Sequence, residues 1–313
     1  MKPRILLIGA SGQVGTELQR SFAGFGELIS CNRNSLDLTS EAAIRSVVEH
    51  TRPDVILNAA AYTAVDKAES EPELAYAINA HAPLVLAQEA ARRNVLLVHY
   101  STDYVFDGTK SSPWSEDDAT HPLNVYGASK LAGEQAVRAA GGRHLIFRTS
   151  WVYGPHGRNF LFTMLRLARE RERLRVVDDQ RGAPTSSIAI ADATRTLVEG
   201  ALTGRFGAVE QWVGLYHMTC AGVVSWCGFA QAIFARADKL LDGRLPQVVP
   251  IPGAEYPTPA RRPLNSALSC EKLGRAFGVR LPTWEAGLDR VVEQLKREPG
   301  PVPVQASARQ ALE

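Results

Sequence analysis

Apolar runs of strand length alternate with amphipathic stretches of helix length from the first residues onward, the pattern of a mostly parallel sheet wrapped by helices. Residues 4–8 predict a first strand, 12–23 a helix, 27–31 a second strand and 41–51 a second helix. A strand over 54–58, a long helix over 71–93, a buried strand over 95–100, a helix over 125–140 and a strand over 144–148 continue the series. After Trp151 the regularity changes. Residues 160–173 and 188–202 read as helices, with Val176 and Val177 before a polar turn between them. Residues 245–268 carry Tyr256-Pro257-Thr258-Pro259-Ala260-Arg261-Arg262-Pro263 and read as an ordered loop. The pattern predicts an α/β fold: a doubly wound, Rossmann-type parallel sheet with a smaller α/β substrate-binding lobe. Residues 1–150 form the dinucleotide-binding part, to which 186–220 return; 151–185 and 221–298 form the lobe, and 299–313, rich in proline and poor in large apolar residues, a frayed tail.

A chain of 313 residues is long enough for a large domain with a smaller lobe and one cleft between them. With a formal net charge of +2 there is no large field of either sign to draw in nucleic acid. No apolar run reaches the roughly 18 residues of a membrane span, and the start lacks a signal-peptide pattern, so a cytoplasmic protein is expected. Cys31, Cys220, Cys227 and Cys270 show no CxxC spacing and read as reduced, small apolar residues.

Candidate chemistry begins at Gly9-Ala10-Ser11-Gly12-Gln13-Val14-Gly15, where the first strand must turn into the first helix. Glycines there let backbone N–H groups and a helix N-terminus approach a pyrophosphate. The spacing is GxxGxxG, a departure from the commoner GxGxxG. Asp37 and the run Ala59-Ala60-Ala61 fall after the second and third strands, at the edge where doubly wound sheets bind ligands. Asp37 reads either as a cofactor contact or as a helix cap, although Ser40 is the better cap. The second strand ends in Cys31-Asn32-Arg33-Asn34. Asn32 removes the carboxylate that would repel a 2′-phosphate and Arg33 offers a cation for it, so NADPH is the expected cofactor, with NADH as a second.

Tyr126-Gly127-Ala128-Ser129-Lys130 sets a tyrosine and a lysine four apart, on one face of a helix. A neighbouring ammonium stabilises a phenolate and brings a tyrosine towards acid–base use. The alternative is a core-facing tyrosine with a surface lysine. Upstream, a buried strand runs into Ser101 and Thr102; since side chains alternate across a strand, Thr102 is the candidate for holding a reacting oxygen and Ser101 the poorer one.

These motifs, together with Asn58 to Glu69, Tyr100 to Phe106, Arg148-Thr149-Ser150-Trp151-Val152-Tyr153, Gly182-Ala183-Pro184-Thr185 and Arg262-Pro263, resemble the dTDP-4-dehydrorhamnose reductase family of extended short-chain dehydrogenase/reductases, to about residue 298. The resemblance implies that Thr102, Tyr126 and Lys130 form a catalytic set, and that Asp37, Leu38 and the alanine run contact the cofactor. It implies that Thr63, Asp103 and Trp151 seat a dTDP-sugar in a monomer or homodimer. Trp151 is equally readable as a lobe-interface aromatic, and Arg262 either pairs with the pyrophosphate or anchors the proline-rich loop. Some relatives are bridged by magnesium through surface glutamates. Glu17 and Glu293 match two such positions, but Ile188 stands where a third carboxylate is expected and cannot ligate a metal. No metal is expected, therefore, and Glu17 and Glu293 read as solvated helix charges. A nucleotide-sugar epimerase with bound NAD, and a non-catalytic subunit like the regulatory subunit of methionine adenosyltransferase, are the rival readings.

Overall fold

The computed structural model describes residues 2–241, 243 and 245–297; the expected tail over 299–313 lies outside the described residues. In chain order the first half comprises β1 (Arg4–Ile8), α1 (Gln13–Ser21), β2 (Glu27–Cys31), α2 (Glu41–Thr51), β3 (Val55–Asn58), α3 (Val65–Ala68), α4 (Pro72–Tyr76), a π turn (Ala77–His81), α5 (Ala82–Arg93), β4 (Leu96–Thr102), α6 (Val125–Ala140) and β5 (His144–Thr149). Then come β6 (Val152–Tyr153), α7 (Phe160–Glu170), β7 (Arg173–Val177), β8 (Arg181–Gly182), β9 (Thr185–Ser186), α8 (Ser187–Leu202), β10 (Gly214–His217), β11 (Val224–Ser225), α9 (Trp226–Arg236), β12 (Gln247–Ile251), α10 (Glu271–Phe277) and α11 (Trp284–Arg297).

Six parallel strands form the central sheet in the order β10-β5-β4-β3-β1-β2. Alternate residues of each strand enter different cores, as a period of two requires. Leu6, Ile8, Ile56, Leu97 and Ile146 pack with α2 and α5, whereas Ile5, Leu7, Leu57, Val98 and Phe147 face the core shared with α1 and α8. Strand order reverses between β1 and β3, so their C-terminal loops part to form the crevice in which doubly wound sheets bind ligands. The smaller lobe pairs β12 with β7, β6 with β9 and β11 with β8 beneath α7, α9 and α11.

Three local readings differ. The stretch expected as one helix over 71–93 contains the π turn, whose Asn79 is fully buried and bonds both backbone groups of Tyr62 and the Ser129 hydroxyl. The helix expected to reach 173 stops at Glu170, because 173–177 pair as β7. Part of the proline-rich loop is strand: Gln247–Ile251 pairs with β7 in a two-stranded ribbon, where an edge position tolerates Pro250.

Candidate active site

The β1–α1 turn has the shape of a phosphate cradle. Gly9 holds φ +85°, and a Cβ on it would stand 2.5 Å from Ala60 N; a Cβ on Gly15 would stand 2.1 Å from Gly9 O. Around Gly12 the nearest atom to such a Cβ is 3.3 Å away, and α1 begins there with no side-chain cap. Its first N–H groups are thus left for a ligand rather than for a protein oxygen. The glycine turn, the small residues Ala59-Ala60-Ala61 beside it and the helix N-terminus fit a dinucleotide's pyrophosphate. Gln13 points the other way, bonding Val152 O and accepting from Asn159 Nδ2 at 2.9 Å, which ties the turn to the second lobe. Val14 packs against the core.

At the β2 edge, Asn32 and Arg33 are exposed. Asn32 Oδ1 accepts from Asn34 N, shaping the turn that carries Arg33. Asp37 Oδ1 accepts from the Thr39 N–H and hydroxyl at 2.8 and 2.7 Å, which holds its pKa below the usual carboxylate value. Ser40 caps α2. Leu38 packs on the core beside them.

The candidate catalytic residues meet where β4 ends over the start of α6. Asn124 caps α6 through Gly127 N, and Gly127 lets the helix approach Tyr104, whose carbonyl would lie 2.2 Å from a Cβ there. Thr102 Oγ1 donates to Asp103 Oδ1 at 3.0 Å and accepts from Tyr104 N at 3.2 Å. Burial pushes Tyr126 up to about 12, with the nearby Thr102 hydroxyl opposing and the Asp103 charge adding to the rise. That differs from the expected stabilisation of a phenolate by Lys130, since the loss of solvent dominates. Lys130 is not a surface residue: it is 1% exposed, donates to Tyr100 O at 2.6 Å, and is lowered to about 8 by burial, against the opposing Glu134 charge. Asp103 is raised to about 6 by burial, countered by the hydroxyls of Ser266, Thr102 and Ser150, while its Oδ2 has no hydrogen-bond partner.

Beneath this surface, Arg148 grips Glu134 through two bonds of 2.9 and 2.7 Å, and Ser101 donates to the same carboxylate. Ser101 therefore belongs to a buried ion-pair network that clamps α6 to the sheet, which sequence reasoning missed because its members lie on three separate elements. The structure does not gather the other predicted substrate residues equally. Thr63 is exposed on the loop fastened by Asn79. Trp151, at φ +48°, stacks on Trp226 with centroids 3.5 Å apart and lies over Gly182, contacts that fall within the smaller lobe. Arg262 pairs with Asp66 Oδ2 at 2.8 Å and bonds Ala260 O, anchoring the proline-rich loop.

Of the two glutamates read as solvated, Glu293 is exposed, but Glu17 is 4% exposed. It lies 3.0 Å from His156 and 3.6 Å from Arg20, and its pKa is raised by burial. His156, on the loop after Tyr153, stands beside it, and α8 packs along α1. Ile188 is buried. Among the described residues no helix is long and apolar enough to cross a membrane.

A doubly wound sheet with a glycine cradle at its switch point, and a hydroxyl, tyrosine and lysine at the neighbouring strand end, defines a dinucleotide-dependent oxidoreductase of the extended short-chain type. The family described as RmlD substrate binding domain matches residues 1–297, and the chain belongs to it, among the dTDP-4-dehydrorhamnose reductases. It is 50% identical over 297 residues to the dTDP-4-dehydrorhamnose reductase of Burkholderia thailandensis, covering 93% of this chain and 99% of that one. To that of Salmonella typhimurium it is 48% identical, covering 93% and 97%. The crystal structure of a dTDP-4-dehydrorhamnose reductase from Bacillus anthracis in complex with NADP superposes with a TM-score of 0.87 at 36% identity, over 94% of this chain and 100% of that one. A Thermus thermophilus UDP-glucose 4-epimerase with NAD shares the fold, with a TM-score of 0.72 at 20% identity.

Proposed function

We propose that this protein reduces the 4-keto group of dTDP-4-dehydro-L-rhamnose with NADPH, giving dTDP-L-rhamnose. The observation that carries the reading is the coincidence of the glycine cradle with the Thr102–Tyr126–Lys130 set at adjoining strand ends, in a chain this similar to named reductases along its whole described length. Bound NADPH supplies the hydride to C4 of the sugar. Tyr126 gives the proton to the ketone oxygen, and a hydroxyl held near 12 is fully protonated at neutral pH, as a donor must be. Lys130 would offer its ammonium to the nicotinamide ribose of the bound cofactor.

Thr102 has a single proton. With Asp103 ionised that proton is directed to Oδ1; a protonated Asp103 frees it to donate to the ketone or to the tyrosinate that Tyr126 leaves behind. Thr63 and Asp103 meet the sugar, Trp151 walls the cleft between lobes, and Arg262 neutralises the diphosphate if it exchanges Asp66 for it. The loop Asp37–Leu38 and Ala59–Ala61 border the adenosine and pyrophosphate. The test is a purified-protein assay of NADPH loss with the keto sugar. NADPH loss that requires the keto sugar, from protein carrying no tightly held NAD, is expected; stoichiometric NAD with no NADPH consumption would make it an epimerase instead.

A further inference from the structure

One buried titratable group beside the site has no part in the chemistry above. His99 is fully buried on β4, with Nδ1 3.1 Å from Asn58 Nδ2 on the neighbouring β3 and Nε2 3.5 Å from Lys130 Nζ, the outer reach of a hydrogen bond. Burial, and secondarily the Lys130 charge, push its pKa well below the ordinary histidine value, so the ring is neutral. A neutral imidazole has one N–H and one lone pair, whereas an ammonium has only donors. The nitrogen facing Lys130 must then carry the lone pair, and Nδ1 the hydrogen. Asn58 is the group that meets Nδ1, and an N–H there needs an oxygen. Oxygen and nitrogen of an amide exchange places by a half-turn, and Asn58 Oδ1 has no hydrogen-bond partner that holds it in the other orientation. With Nδ2 facing Nδ1, in contrast, the ring would set its Nε2–H against the ammonium.

The sheet and helix are built to keep this contact. His99 and Ser101, two apart on β4, share one face, and Lys130 and Glu134, four apart on α6, share another; they meet as two rungs, His99 with Lys130 and Ser101 with Glu134. We propose that Asn58 and His99 form a fixed-tautomer support behind Lys130, Asn58 Oδ1 accepting from His99 Nδ1–H and His99 Nε2 accepting one proton of the ammonium. Tyr100 O takes a second proton at 2.6 Å, so the direction of the third is set by tetrahedral geometry. His99 is thus a positioning residue for Lys130, an inference that rests on Lys130 serving the reaction proposed above. The titratable groups around the ammonium are His99, Glu134 one turn on and Tyr126 one turn back.

The test has one arm that needs no sugar. Nitrogen-15 NMR of the full chain labelled at histidine should show His99 as the Nδ1–H tautomer; the Nε2–H tautomer would overturn the proposal. In the second arm, His99→Leu should lower kcat/KM about tenfold to hundredfold, as expected for losing an acceptor to a charged donor. It should also move the alkaline limb of the pH profile lower, because the neutral amine is favoured once that acceptor is gone. His99→Gln, which can return an oxygen near Nε2, should recover most of both effects, whereas Asn58→Leu, which removes the acceptor for Nδ1–H, should reproduce part of them. A folded His99→Leu with an unmoved alkaline limb, or a folded Asn58→Leu with rate and pH profile both unchanged, would contradict it. If His99→Leu does not fold, the tautomer of the unmodified protein decides. Absence of NADPH oxidation in every form, with the Nδ1–H tautomer present, would count against the reductase reading and not against this contact.

Discussion

Thr102, Tyr126 and Asp103 lie close together, and each is asked for something different. Tyr126→Phe keeps the ring, with its edge-on contact to Tyr104, and removes the proton donor. A fall of about 10²–10⁴ in kcat with little change in Tm is expected, and near-normal turnover would remove Tyr126 from its role. Asp103 lets stability and activity be separated. Its pKa is raised from 3.8 to about 6, so the folded protein binds the proton more tightly than the unfolded chain and burying the charged form costs stability. That cost is absent below about pH 4, grows between about pH 4 and 6, and is fully present above. Asp103→Asn should therefore raise stability at pH 8 by up to about 3 kcal/mol, with the gain fading as pH falls to about 4, while turnover drops. Denaturation midpoints of both proteins across this range are the check, and a gain independent of pH would contradict the assignment.

At the scale of elements, the glycine turn makes the sharpest demand, since Gly15 has Gly9 O where a side chain would stand. Gly15→Ala must displace α1 from β1, and a rise of tenfold or more in the NADPH Kd, with a loss of about 1–3 kcal/mol, is expected by cofactor titration and unfolding. Unchanged binding would show that the cradle does not hold the pyrophosphate. This turn was legible in the sequence because the requirement is written in residue type, and the parallel strands were legible because burial on both faces leaves continuous apolar runs. The π turn was not, since Ala77-Ile78-Asn79-Ala80-His81 continues a helical pattern and only the distant partners of Asn79 explain it. The strand over 247–251 was hidden by Pro250 and by pairing with a segment some seventy residues away. Glu17 looked solvated because its neighbour His156 belongs to another loop, although its place between Gly15 and Leu18 on the buried side of α1 was a signal. Asn58, His99 and Lys130 lie on three elements, and only the β3–β4 register and the face of α6 bring them together.

On the scale of the whole molecule, the sheet edge, the cradle and the catalytic strand end lie along one crevice, so cofactor selection and chemistry can be separated by substitution. Arg33 stands exposed at the β2 end of that crevice, and a screened contact there contributes modestly. NADPH should be preferred over NADH by about three- to thirty-fold in kcat/KM, roughly 0.7–2 kcal/mol, and Arg33→Ala should erase most of that preference while leaving NADH use intact. A preference untouched by the substitution would place recognition of the 2′-phosphate elsewhere. The central claim is that hydride passes to C4 of a dTDP-linked keto sugar, and isotope transfer follows that atom. With NADPH carrying deuterium in the transferable position of its nicotinamide ring, dTDP-4-dehydro-L-rhamnose should yield dTDP-L-rhamnose with one deuterium at C4, seen by mass spectrometry and proton NMR. A dTDP-sugar product without deuterium at C4, or consumption of the sugar with no oxidation of NADPH, would contradict it.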